Sequence, residues 1–87
     1  MDYVLSIDGP ATTIYSATCR VGVEGGEWNA SFDGSPPIQR VFTGNRLDCR
    51  IRQKSSGGFL AVEIRRGGSI SRWRTEGAGS TIILSLR

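Results

Sequence analysis

Apolar and polar residues alternate with a period of two along most of this chain. Between Arg46 and Gln53, Leu47, Cys49 and Ile51 share one side, and Arg46, Asp48, Arg50 and Arg52 share the other. Successive strand side chains point to opposite faces, so the pattern predicts a strand with one buried and one wet face. The same rhythm recurs, broken by turn-forming residues, and predicts eight short strands near 2–7, 13–23, 27–32, 38–43, 46–53, 59–66, 69–75 and 80–86. The breaks are Asp8-Gly9-Pro10, Gly25-Gly26, Asp33 to Pro37, Gly44-Asn45, Ser55 to Gly58, Gly67-Gly68 and Gly77-Ala78-Gly79. No window carries apolar residues at helical spacing. The expected fold is all-β, a single-domain antiparallel β-sandwich of seven or eight strands over residues 1–87.

Alternation also names a core. Tyr3, Leu5 and Ile7 face inward from the first strand, and Tyr15, Ala17, Cys19, Val21 and Val23 from the second. Trp28, Ala30 and Phe32 are expected inward from the third, Trp73 from the seventh, and Ile82, Leu84 and Leu86 from the last. Strand 38–43 is ambiguous, because Ile38 and Phe42 oppose Val41. Pro36-Pro37 before it indicates an edge or crossover strand.

The middle hairpins suggest a register. Pairing Ile51 with Val62 and Cys49 with Ile64 leaves the loop Ser55-Ser56-Gly57-Gly58, and sets Arg50 against Glu63 and Asp48 against Arg65. The Gly67-Gly68 turn then pairs Val62 with Trp73 and Glu63 with Arg72. On this reading one sheet face gathers Arg50, Arg52, Arg65, Arg72 and Arg74 around Glu63, and that face is the candidate binding site.

Charge sharpens the picture. The net charge is +3. The first 33 residues carry Asp2, Asp8, Glu24, Glu27 and Asp33 against Arg20 alone. Residues 46–74 carry seven arginines and Lys54 against Asp48 and Glu63. Arginine makes bidentate contacts with anions that lysine cannot, so the basic half suits an anionic ligand, although a composition bias toward arginine explains it equally well. No apolar run approaches the roughly 20 residues of a membrane-crossing helix.

The chemistry of catalysis is missing. The chain has no histidine, which removes the usual general base and most transition-metal sites. The carboxylates sit in or beside turns, and neither Glu24-Gly25-Gly26-Glu27 nor Asp33-Gly34 has the alternating ligands of a calcium loop. Gly77-Ala78-Gly79-Ser80-Thr81 lacks the lysine and the helix of a phosphate-binding loop. The chain therefore reads as non-enzymatic and without a cofactor or metal. Asn29-Ala30-Ser31 matches a glycosylation triplet. Cys19 and Cys49 both fall on inward faces. They read as a disulfide joining the two sheets, with a pair of reduced core residues as the alternative.

The stretches Leu47-Asp48-Cys49-Arg50-Ile51, Leu60 to Gly68 and Gly77 to Leu84 resemble small exported bacterial β-sandwich proteins, such as the soluble domain of the mycobacterial MmpS type. The resemblance covers about half of the chain. It implies an immunoglobulin-like sandwich, export to a periplasmic or extracellular space with any leader absent from this sequence, and an accessory role without catalysis. In that family the cysteine in the Cys49-like position pairs with one near the C-terminus, whereas here the last strand has none.

Three functions follow. The first is a non-catalytic binding or accessory module of an exported protein, with a protein or anionic ligand as partner. The second is nucleic-acid or other polyanion binding through the arginine face. Single-strand readers also need exposed aromatics, and only Phe59 reaches that face. The third is a loop-based enzyme inhibitor using Asp33 to Pro37 or Ser55 to Gly58. An edge strand, 38–43 or the last, is also a candidate for dimer formation by strand addition.

Overall fold

The computed structural model describes residues 2–86. Its strands are β1 (Asp2–Asp8), β2 (Tyr15–Val23), β3 (Gly26–Gly34), β4 (Ile38–Thr43), β5 (Arg46–Gln53), β6 (Ala61–Arg66), β7 (Ser69–Arg74) and β8 (Thr81–Leu86). They form two four-stranded antiparallel sheets, ordered β4-β1-β6-β7 and β3-β2-β5-β8. The molecule is the β-sandwich that the alternation predicts, and each predicted strand is present within two residues at either end.

The core lies between the sheets. Tyr3, Leu5, Ile7, Tyr15, Ala17, Cys19 and Val21 are buried as their parity requires, together with Leu47, Ile51, Val62, Ile64, Ile82 and Leu84. The ambiguity of β4 resolves in favour of Phe42, which is buried, while Val41 points to solvent with 59% of its surface exposed. Val23, Trp73 and Leu86 are only partly buried against the core, and the third strand departs furthest from the expectation. Ala30 and Phe32 are only half-buried and Trp28 is 42% exposed, because β3 is an edge strand that reaches past the core. The Trp28 ring still packs on Phe42, with centroids 5.8 Å apart.

The chain changes sheet at five connections, and the one between β4 and β5 is the shortest. Between β4 and β5 only Gly44 and Asn45 span the gap. A Cβ on Gly44 would drive into the carbonyl oxygen of Gly22 and the side chain of Val21, so the corner closes only with glycine. The amide of Asn45 donates to the Gly22 carbonyl at 2.8 Å and fixes the corner. At the β6–β7 hairpin, Gly67 takes a positive φ of 58°, as the first central position of a II′ turn requires. That hairpin has the expected register, Val62 with Trp73 and Glu63 with Arg72.

The register expected between β5 and β6 is wrong. β5 pairs with β2 and β8, whereas β6 pairs with β1 and β7. The intervening loop crosses from one sheet to the other. Its course is set by Gln53, the last residue of β5, which is fully buried. The Gln53 amide nitrogen lies 3.1–3.2 Å from the carbonyl oxygens of Ser55, Gly57 and Gly58. The Gln53 amide oxygen accepts from the Thr75 hydroxyl at 2.5 Å. The Thr75 hydroxyl in turn accepts from the Leu60 amide at 2.7 Å. A turn back along β5 would strand these groups, and a buried polar group without a partner is costly.

The two cysteines form a disulfide. It does not bridge the sheets as expected. Cys19 and Cys49 face each other on β2 and β5, the two central strands of one sheet, with Cα atoms 4.1 Å apart. Gln53 donates its amide to the Ser80 carbonyl at 2.9 Å, so by alternation Cys49 turns its backbone groups to β8. The cysteines therefore occupy a non-hydrogen-bonded pair, the position where side chains on neighbouring strands come closest. The inter-sheet disulfide that marks antibody domains has no counterpart here.

Candidate anion-binding sheet face

The crossing of β5 to the other sheet decides the fate of the expected arginine cluster. Arg50 and Arg52 lie on the outer face of the β3-β2-β5-β8 sheet. Glu63, Arg65, Arg72 and Arg74 lie on the outer face of the β4-β1-β6-β7 sheet, on the far side of the sandwich. The single face of five arginines is thus two separate faces. Strand alternation identified the outward side chains correctly, but the wrong strand pairing merged them.

The two faces differ in chemistry. On the β4-β1-β6-β7 sheet the arginines are already engaged. Glu63 accepts from Arg72 Nε at 3.0 Å and from Arg65 Nε at 3.1 Å. The hydrogen bond from Arg72, helped by that from Arg65, holds the Glu63 carboxyl below the usual glutamate range. Arg74 lies over the Phe59 ring, 4.2 Å from its centroid, and 4.0 Å from Glu76. Phe59 itself is only half-exposed and covered by that guanidinium.

On the β3-β2-β5-β8 sheet the charge separates along the strands. At one end Glu27 pairs with Arg46 at 3.2 Å and with Arg20 at 3.7 Å, and Arg46 also meets Asp48 at 3.2 Å. Toward the other end stand Arg50 and Arg52. Neither has an ion-pair partner among the described residues. The Arg50 row runs Ser31, Thr18, Arg50, Ile83, and the Arg52 row runs Asp33, Ser16, Arg52, Thr81. Each arginine therefore stands between a hydroxyl on β2 and either Ile83 or a further hydroxyl on β8. A shallow depression of about 460 Å³ opens beside Arg50, lined also by Arg20, Thr18, Asn29, Ser85 and Asp48, whose carboxylate is paired with Arg46. Residues two apart on a strand are roughly 7 Å apart, so Arg50 and Arg52 form a short ladder of two guanidinium groups. Cys49 lies between Asp48 and Arg50 in sequence, so the disulfide clamps the strand that carries both.

No described group of His, Cys, Asp or Glu side chains is arranged to hold a metal ion. Asn29 lies on the same face, on edge strand β3. The loop Ser55 to Gly58, named above as a possible inhibitory loop, is tied down by Gln53 and by Ser55, whose hydroxyl accepts from the Ile14 amide at 3.0 Å. The network of Gln53 and Thr75 was absent from the sequence reading. Its signal is parity: Gln53 follows Leu47, Cys49 and Ile51 on the inward side of β5, and Thr75 follows Trp73. Neither a protein-family model, nor a curated protein, nor a solved structure matches this chain.

Proposed function

We propose that this chain is a non-catalytic binding module of an exported protein, and that it holds an anionic partner on the outer face of the β3-β2-β5-β8 sheet. The observation that carries this reading is the contrast between the two outer faces. Arg65, Arg72 and Arg74 are occupied by carboxylates or a ring, while Arg50 and Arg52 stand side by side with hydroxyl neighbours and no ion-pair partner among the described residues; Asp48, two residues from Arg50 on the same face, is paired with Arg46. A guanidinium offers a rigid fork to a phosphate, sulfate or carboxylate, and neighbouring serine and threonine hydroxyls can donate to the same group. The strand that presents the two arginines is held on both sides and clamped by a disulfide, so little order is lost on binding. The disulfide is a bond of oxidising compartments, which supports export. The resemblance to exported bacterial accessory domains points the same way.

The outer face carries no aromatic ring, so a partner is held by its charge and not by base stacking. The test is binding of inorganic polyphosphate at low and moderate salt. The Arg50→Ala/Arg52→Ala variant is expected to lose roughly tenfold or more in affinity, while Arg72→Ala/Arg74→Ala changes it little. Equal losses from both pairs, or no binding by the unaltered protein, would overturn the assignment.

A further inference from the structure

The sandwich has four edge strands, and three of them are guarded. β3 carries Glu27 and Asp33, β4 carries Arg40 and follows Pro36-Pro37, and β7 carries Arg72 and Arg74. Charges and prolines of this kind stop a sheet edge from pairing with another chain. β8 has neither. Its sequence, Thr81-Ile82-Ile83-Leu84-Ser85-Leu86, contains no charge, proline or glycine. Ile83, at its middle, is 69% exposed.

Backbone parity shows which groups of β8 are free. The Gln53 amide donates to the Ser80 carbonyl on the β8 side, whereas the next amide, that of Lys54, donates to Ile14 on the β2 side, so by alternation Ile82, Leu84 and Leu86 turn their amides and carbonyls toward β5. Thr81, Ile83 and Ser85 turn theirs outward, away from the sheet. We infer that β8 pairs antiparallel with β8 of a second copy of this chain, on a two-fold axis through Ile83.

The sequence of β8 is self-complementary in that register. Ile83 meets the other copy's Ile83, Thr81 meets Ser85 and Ser85 meets Thr81. All three are positions with free backbone groups, so each pair can exchange two hydrogen bonds. On the outer face an apolar pair is flanked by two hydroxyl pairs. On the inner face Ile82 meets Leu84, which continues the core across the seam. A shift by one residue would set bonded backbone groups against free ones and core side chains against outer ones. A shift by two leaves Ile83 without its apolar mate. No like charges meet, since residues 81–86 carry none. The contact is isologous and consumes the edge that makes it, and the guarded edges stop further growth, so assembly closes at two copies. The seam is short compared with a standard interface of roughly 1,200–2,000 Å², so the dimer is expected to dissociate on the order of 1–100 μM. If the anion-binding reading also holds, Arg50 and Arg52 of both copies share one continuous eight-stranded face.

The test is sedimentation velocity of the full chain from roughly 1 μM to 1 mM, without polyanion, so that it stands apart from the binding assay. A monomer–dimer equilibrium is expected in that range. Ile83→Lys brings two ammonium groups together at the axis and is expected to weaken the dimer at least tenfold; the exposed position leaves the fold intact, which circular dichroism checks. Hydrogen exchange gives an independent readout. Amides of Thr81, Ile83 and Ser85 should gain protection on dimerisation, while those of Ile82 and Leu84 are protected throughout. A monomer at all concentrations, even one that accepts an extended peptide on β8, would overturn the inference. So would a dimer indifferent to Ile83→Lys.

Discussion

Replacing Gln53 by leucine removes the polar hub at one end of the sandwich. Gln53 is fully buried, and its side chain holds the loop carbonyls of Ser55, Gly57 and Gly58 and the hydroxyl of Thr75. The loop glycines are exposed, so their carbonyls can turn to water, and only the lost bonds count there, about 1 kcal/mol each. Thr75 is different. Its hydroxyl is buried and still needed by the Leu60 amide, so its proton loses its acceptor, which costs about 1–3 kcal/mol. The added apolar surface of leucine offsets part of this. The net expectation is a loss of about 2–4 kcal/mol, which for a chain of this size lowers Tm by roughly 10–20 °C. Urea unfolding with the disulfide intact measures it. Thr75→Val should cost a similar amount by orphaning the Leu60 amide. The double variant should cost about 1 kcal/mol less than the sum of the two, because the pair then vanishes together. A Gln53→Leu protein within about 0.5 kcal/mol of the original, or strict additivity in the double variant, would refute the hub.

Opening the disulfide with Cys19→Ser/Cys49→Ser frees a loop spanning 30 positions and should cost about 3–4 kcal/mol, read by the same urea titration. Gly44→Ala should destabilise by about 2–4 kcal/mol through its clash with Gly22 and Val21, while Gly68→Ala, whose Cβ meets nothing within 4 Å, should stay within about 0.5 kcal/mol. Glu63 has its folded pKa depressed by Arg72 and Arg65, so its contribution is present above the ordinary glutamate range and fades as pH falls through the folded value. The Tm difference between the original and Glu63→Gln should therefore shrink below about pH 4, and a difference unchanged with pH would break the assignment.

Period-two alternation made the strands and most of the core legible, because burial acts on each side chain locally. Leu47, Cys49 and Ile51 could be placed inward without knowing any neighbour. Strand partners are a different kind of information. The match of Arg50 with Glu63 and Asp48 with Arg65 was chemically sound, yet exposed charges contribute too little to choose a partner. The choice fell to Gln53, a buried amide whose partners lie in two loops remote in sequence from one another. For the same reason the cysteines were correctly seen as inward and bonded, but their placement in one sheet could not be read before β2 and β5 were known to be neighbours. The site inherited this. Each outward arginine was identified, and their division between two faces followed from topology alone.

The placement of the disulfide also decides how this domain answers to tension. It fastens the two central strands of one sheet to each other at facing positions, 30 residues apart along the chain. A pull applied at the two termini runs through the sulfur bridge and bypasses everything between Cys19 and Cys49, which includes all of β3 and β4. About 100 Å of contour is thereby withheld from extension while the bond is intact. The β4-β1-β6-β7 sheet would give way strand by strand outside that loop, from β1 and β6, whereas β2 and β5 stay tethered side by side. Stretched between its two ends, the domain would thus yield in two lengths, the second released only by a reductant.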